Sequence, residues 1–280
     1  MVDRVIVGVD DSPAATAALA WAAGEARLRG AELVACTVLD RHGLSSAGQA
    51  RPSGEEAAGG VPVVTRRLRG DPAAELIAAA ADADLLVVGS RGRGRLTGLV
   101  LGSVSRACLA HAPCPVVVVR PGFERAPLRR RVVVGVDGSD HGRRALRVAA
   151  EEAALRDATL VVVNAVHWDH TGAELLTPTA EQLAEWGDRL LTADLAATGV
   201  PGTPVVEHGR ATDVLVRHST GADLLVLGSR GHGPLAGTLL GSTGEHCTQH
   251  AHCPVMITHS GDAQRSDQRT SPTVRGEATC

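Results

Sequence analysis

The sequence has no lysine, so all 28 residues counted as Lys or Arg are arginines. That absence excludes a P-loop of the form GxxxxGK[ST], a Schiff-base enzyme and a protein kinase with its strand lysine, because each needs an ammonium group. Tyrosine is also missing, and one Phe and three Trp are the whole aromatic complement. Few rings are therefore present on which single-stranded bases could stack, and a net charge of −3 gives no bulk attraction for nucleic acid. No apolar run approaches the roughly 20 residues of a membrane-spanning helix. The first residues, Met1 to Arg4, show no basic stretch leading into a hydrophobic one, so the expected location is the cytoplasm, with no membrane partner.

What the chain does have is self-similarity. Its 280 residues, 44% of them hydrophobic, amount to about two ordinary domains. Val5-Ile6-Val7-Gly8-Val9-Asp10-Asp11-Ser12 returns 127 positions later as Val132-Val133-Val134-Gly135-Val136-Asp137-Gly138-Ser139. Asp84-Leu85-Leu86-Val87-Val88-Gly89-Ser90-Arg91-Gly92 returns 139 positions later, as Asp223 to Gly231. The second copy therefore holds 12 more residues in its middle. There, Thr179 to Ala197 reads as an amphipathic helix with Leu183, Trp186, Leu190 and Leu195 near helical spacing. The matching stretch of the first copy, 41–60, is rich in Gly, Ser, Pro and Ala and predicts a mobile loop.

Each copy otherwise alternates short apolar runs with helical patterns. In the first, strands are expected at Val5 to Val9, Leu33 to Val38, Val63 to Leu68, Leu85 to Val88 and Val116 to Val119. Their nearly continuous apolarity is the habit of a parallel sheet covered by helices on both faces. The first helix should start behind Ser12-Pro13 and stop before Gly30. Expected domains are 1–120 and 131–259, with a linker at 121–130 and a disordered tail at 260–280.

A strand, then a glycine-rich loop, then a helix is an arrangement that holds phosphate, because helix N-terminal amides and the dipole face the anion. Gly89-Ser90-Arg91-Gly92, nine residues and Gly102-Ser103 supply it once. Gly228-Ser229-Arg230-Gly231, nine residues and Gly241-Ser242 supply it again. Ser103 and Ser242 are expected to cap the following helices, and Arg91, Arg93 and Arg230 to add charge.

This GxxG-x9-G[ST] pattern, the Val-Gly-Val-Asp strand ends, Gly70-Asp71-Pro72 and Cys114-Pro115 together resemble a tandem member of the universal stress protein family. The resemblance implies an α/β fold of two Rossmann-like domains, each a five-stranded parallel sheet of order 3-2-1-4-5, and membership of the family's ATP-binding branch. It places Gly8, Asp10, Gly135 and Asp137 near the adenosine and the backbone around Val38 and Ala165 near adenine. It wraps Gly89, Arg91, Gly92, Arg93, Gly228, Arg230, Gly231 and His232 around ribose and phosphates. Gly102, Ser103, Val104, Gly241, Ser242 and Thr243 would close on the phosphate tail. The implied cofactor is ATP with Mg²⁺. The implied partners are an intrachain pairing of the two domains, a homodimer and a regulatory protein.

Other readings stay open on the residues alone. Asp10 and Asp137 could terminate strands and help to cap helices. A slow nucleotide hydrolase or adenylate-forming enzyme, or an interaction scaffold without nucleotide, would keep the same fold. No GxSxG or HExxH motif is present for hydrolysis, and no catalytic residue is assigned. Gly231-His232-Gly233-Pro234-Leu235-Ala236 fits GxGxxA but follows a fourth strand, unlike a dinucleotide site. Cys108 and Cys114 recur as Cys247 and Cys253, spaced by five residues and expected as buried small residues. The cluster His246-Cys247, His250 and His252-Cys253 has no full counterpart in the first copy, and no metal is assigned to it.

Overall fold

The computed structural model describes residues 3–39, 60–92, 101–123, 129–167, 178–231 and 240–259. The expected loop at 41–60, apart from its last residue, and the tail at 260–280 lie outside them, as do 124–128 of the linker, Arg93 and His232.

The first repeat runs β1 (Arg4–Gly8), α1 (Pro13–Arg29), β2 (Glu32–Leu39), β3 (Val63–Arg69), α2 (Pro72–Ala79), β4 (Leu85–Gly89), α3 (Ser103–His111) and β5 (Val116–Val119). The second runs β6 (Arg131–Gly135), α4 (Asp140–Leu155), β7 (Thr159–Val166), α5 (Ala180–Thr198), β8 (Thr203–His208), α6 (Ala211–Ser219), β9 (Leu224–Gly228), α7 (Ser242–His250) and β10 (Val255–Thr258). A short 3₁₀ turn, Ala80–Asp82, follows α2. All five strands expected in the first repeat form within a residue or so of their predicted ends.

The strands make one sheet of order β3-β2-β1-β4-β5-β10-β9-β6-β7-β8. Each half has the order 3-2-1-4-5 and is parallel throughout. The inner strands are apolar on both faces as expected, whereas the edge strands β3 and β8 carry polar residues and are exposed or half-buried, being paired on one side only. Only the joint differs: β5 and β10 pair antiparallel, with Val117 opposite Met256. This reversal makes a pseudo-two-fold axis perpendicular to the sheet, so the carboxyl ends of the two parallel halves lie on opposite edges. One face of the sheet carries α1, α4 and α5 on a core that includes Val5, Val7, Ala18, Val132, Val134, Leu146 and Leu191. The other carries α2, α3, α6 and α7 on Ile6, Leu86, Leu109, Val133 and Leu225.

Local chemistry sets the helix ends. Ser12 accepts a hydrogen bond from Ala15 N, Pro13 opens α1, and Gly30 ends it in the left-handed region at φ 62°. In α5, Thr179 and Gln182 form a reciprocal capping box. The inward stripe of α5 is Leu183, Gly187, Leu191 and Asp194, while Trp186, expected on that face, is 49% exposed. The helix lies close enough over β8 that a Cβ on Gly187 would stand 2.5 Å from Val206 Cγ1. Asp194 is held there by Arg143 Nη1 at 3.0 Å. Among the described residues, no helix is long and apolar enough to cross a membrane.

Where α1 meets α4, four charged side chains form a buried ring. Glu25 and Arg29 of α1 pair with each other, as do Glu152 and Arg156 of α4, and the cross pairs Arg29–Glu152 and Arg156–Glu25 close the ring. Glu152 and Arg156 stand 127 positions after Glu25 and Arg29, so the ring obeys the pseudo-symmetry. Burial pushes the Glu25 carboxyl up against the opposing pull of Arg156 and Arg29. Arg156→Leu should therefore destabilise the chain by about 3–5 kcal/mol in urea unfolding, because two buried carboxylates lose a partner. Replacing all four residues by leucine or methionine should recover most of that loss.

Candidate functional site

In each repeat, the end of the first strand, the loop after the fourth strand and the start of the next helix come together at the carboxyl edge of the sheet. Ser90 N donates to Val119 O at 2.9 Å, which ties the loop to β5, and Gly102 N donates to Ser90 O at 2.9 Å. The two halves of the glycine pattern thus touch: a Cβ on Gly102 would lie 3.5 Å from Arg91 Cα and 3.7 Å from Gly92 N. The second repeat repeats this, with Ser229 N bonded to Thr258 O at 3.0 Å and Gly241 N to Ser229 O at 2.9 Å.

Asp10 and Asp137 use their two oxygens differently. Asp10 Oδ1 accepts from Ser12 N at 3.0 Å, and Asp137 Oδ1 accepts from Ser139 N at 3.1 Å and from Ser139 Oγ at 2.6 Å. Ser12 and Ser139 in turn cap α1 and α4, so one oxygen of each aspartate organises a helix start. The other oxygen faces the loop glycine, with Asp10 Oδ2 standing 2.7 Å from where a Gly92 Cβ would be and Asp137 Oδ2 against Gly231 in the same way. Ser12 Oγ also donates to Arg91 O at 3.2 Å, fastening the loop to the helix.

The glycines divide by what occupies their missing side chain. Gly89 lies against the backbone of α1, its Cβ position 2.7 Å from Ala14 C, and Gly228 lies equally close to His141. Gly8 and Gly135 give room to leucines, Leu76 of α2 for the first and Leu215 of α6 with Leu227 of the neighbouring strand β9 for the second. Gly102 and Gly241 meet only ordinary contacts beyond 3.4 Å.

Ser103 and Ser242 are not caps. The N-cap positions of α3 and α7 belong to Gly102 and Gly241, and no side chain caps either helix. Glycine at the turn displaces the serines by one residue into the helix, where they are exposed. The start of each helix following the glycine pattern is thus left without the cap that α1 and α4 possess. Val104 and Thr243 sit half-buried in the same first turns, while Arg91 and Arg230 are exposed beside them.

Val38 and Ala165 lie at the ends of β2 and β7, half-buried on the core. Each is two residues beyond a carbonyl, that of Cys36 or Val163, which accepts the amide next to the site aspartate. The five described cysteines are buried and free of disulfides. Burial pushes Cys108 and Cys247 up to about 12, which makes them packing residues with little thiolate. His246 and His250 stack at 4.2 Å on α7. Among the described residues, no three His, Cys, Asp or Glu gather as metal ligands would.

Two histidines escape the motif reading. His141 follows the cap of α4, where the first repeat has Ala14, and His259 follows β10, where the first has Arg120. Comparing the repeats position by position would have found both.

The two kinds of glycine should separate on substitution. Gly89→Ala drives a Cβ into helix backbone and should cost about 1–3 kcal/mol in thermal or urea unfolding. Gly92→Ala meets only the movable carboxylate of Asp10 and should change stability by less than about 0.5 kcal/mol while displacing that side chain.

Comparison with known proteins places this geometry. The profile of the universal stress protein family matches residues 1–120 and 128–259. A universal stress protein of Mycobacterium tuberculosis is 35% identical over 295 residues, covering 90% of this chain and 95% of that protein. One of Mycolicibacterium smegmatis is 33% identical over 283 residues, covering 90% and 96%. The crystal structure of a universal stress protein from Archaeoglobus fulgidus aligns with TM-score 0.65 at 22% identity, covering 93% of this chain and 97% of its own. With two matched segments that together span nearly all of its length, the chain belongs to the universal stress protein family and carries that family's domain twice in tandem.

Proposed function

We propose that the protein binds ATP, accompanied by Mg²⁺, at both repeats and acts as a cytoplasmic nucleotide-sensing regulator of stress response or growth, with little or no hydrolysis. The observation that carries this reading is the contrast in capping. α1 and α4 have serine caps, whereas α3 and α7, which follow the glycine patterns, begin at glycines with no side-chain cap. An uncapped helix start beside an arginine suits an anion that supplies the missing acceptors. A Cβ at Gly102 or Gly241 would touch the loop backbone at ordinary contact distance, with no clash. The phosphate tail would meet the first-turn amides and Arg91 or Arg230, with the base toward Val38 or Ala165. Mg²⁺ would arrive on the phosphates, since the described residues bring no ligand cluster of their own. A regulatory protein, or a second copy of the chain, would read the occupied state.

Gly102 and Gly241 have φ of −64° and −68°, which any residue can adopt. Aspartate there is a good N-cap, so Gly102→Asp and Gly241→Asp should hold or raise stability by a few tenths of a kcal/mol, about what a cap gains over glycine. Each should nonetheless abolish one binding event by placing a carboxylate where phosphate goes. Mass spectrometry of nucleotide released on denaturation, followed by calorimetric titration with Mg-ATP, checks this. Expected is adenine nucleotide at both repeats, halved by each substitution without a fall in melting temperature. No nucleotide and no heat up to millimolar ATP would leave an interaction scaffold as the better account. Turnover of Mg-ATP well above background would make the protein an enzyme.

A further inference from the structure

The two glycine patterns match, but the side chains around them do not. In the second repeat, His141 occupies the position of Ala14, and its Cβ lies 2.9 Å from where a Cβ on Gly228 would stand, at the root of the Ser229-Arg230-Gly231 loop. His259 occupies the position of Arg120. It directly follows Thr258, whose carbonyl accepts Ser229 N at 3.0 Å, and its Nε2 donates across the joint to Leu109 O at 2.7 Å. His141 thus stands at the root of the loop on the helix packed on β9, and His259 at the end of the strand paired with β9, its ring turned to the first repeat. In the first repeat the same positions hold a methyl group and a guanidinium, and Arg120 reaches the other way across the joint to the carbonyls of Gln249 and Ala251.

We infer that nucleotide binding at the second repeat is coupled to proton uptake by His141 and His259, so that this site, unlike the first, tightens as pH falls. The inference rests on the nucleotide reading above and names a regulation of one of its two sites.

The surroundings of each ring give the sign. Burial is the largest influence on His141 and favours its neutral form, as do Arg144 of its own helix and Arg230 of the loop, while Asp140 and Asp137 oppose them. For His259, burial again dominates, Arg230 and His111 add to it, and the backbone of Leu109 and Cys114 favours the protonated ring. Both rings are thus held below the ordinary histidine value. Both also feel Arg230. A polyphosphate seated on Arg230 cancels that repulsion and adds negative charge, which raises both pKa values in the bound state. A group with a higher pKa in the bound state takes up protons on binding, and affinity then rises as pH falls, by at most about tenfold per pH unit for each proton. At the first repeat no ring titrates at position 14, and the guanidinium of Arg120 keeps its charge throughout.

The test uses the full chain with one site closed at a time, Gly102→Asp leaving the second and Gly241→Asp the first. Mg-ATP is titrated calorimetrically at about pH 6 and about pH 7.5, in buffers of different protonation enthalpy, the range over which histidine changes charge. Proton equilibria of the ligand are common to both sites and cancel in the comparison. Expected at the second site is binding about five- to tenfold tighter at the lower pH, with net proton uptake; at the first, affinity changes by less than about twofold. His141→Ala, which installs the residue of the first repeat, together with His259→Gln, which keeps a donor for Leu109 O, should flatten the second site. Equal pH dependence at the two sites, or proton uptake that survives both histidine substitutions, overturns the inference and leaves the nucleotide reading standing. Absence of binding by the unsubstituted chain at either pH overturns both.

Discussion

The two repeats are joined where β5 pairs antiparallel with β10 and where Glu25, Arg29, Glu152 and Arg156 close a buried ring between α1 and α4. Burying four charges is unfavourable unless each faces an opposite charge at close range. That condition is met at a single relative position of the helices, so the ring selects geometry more than it adds stability. β5, four valines, and β10, Val-Met-Ile-Thr, pair in the register that sets Val117 opposite Met256. Apolar packing supplies the cohesion and the ring supplies the alignment. With β5 and β10 antiparallel, the carboxyl ends of the two half-sheets face opposite edges, and so do the two candidate sites.

The repeat, the strands and the position of the glycine loops were legible in the sequence because each is a local signal: a continuous apolar run, a Ser-Pro start, a pattern recurring at a fixed offset. The strand order came only with the family resemblance. The ring was not. Glu25 and Arg29 in an alanine-rich helix look like an ordinary exposed pair four residues apart, and only the facing helix buries them. Trp186 failed for a related reason. Helical spacing admits it to the inner stripe, but the close approach over Val206 is made at Gly187, which turns the bulky ring outward.

Within the candidate site, residue types were easier to read than their tasks. Asp10 and Asp137 fill the structural role that the sequence allowed, with one oxygen holding a helix start, while the other faces the loop. Ser103 and Ser242 carry the right chemistry one position away from the expected role, since glycine takes the cap. Gly8 and Gly135 are small for the sake of leucines packed against them from α2, α6 and β9. Spacing identifies which residues converge on an edge of the sheet, whereas the direction of each missing or present side chain is set by neighbours distant in sequence.

The antiparallel joint has one consequence of another kind. In a dimer of identical chains, one codon fills both symmetry-related positions at such a seam, and any change there is made twice. Here the seam lies inside a single polypeptide, so Arg120 and His259 answer to different codons and have taken different residues. The architecture keeps the shape of a two-fold assembly while releasing its halves from the obligation to be the same.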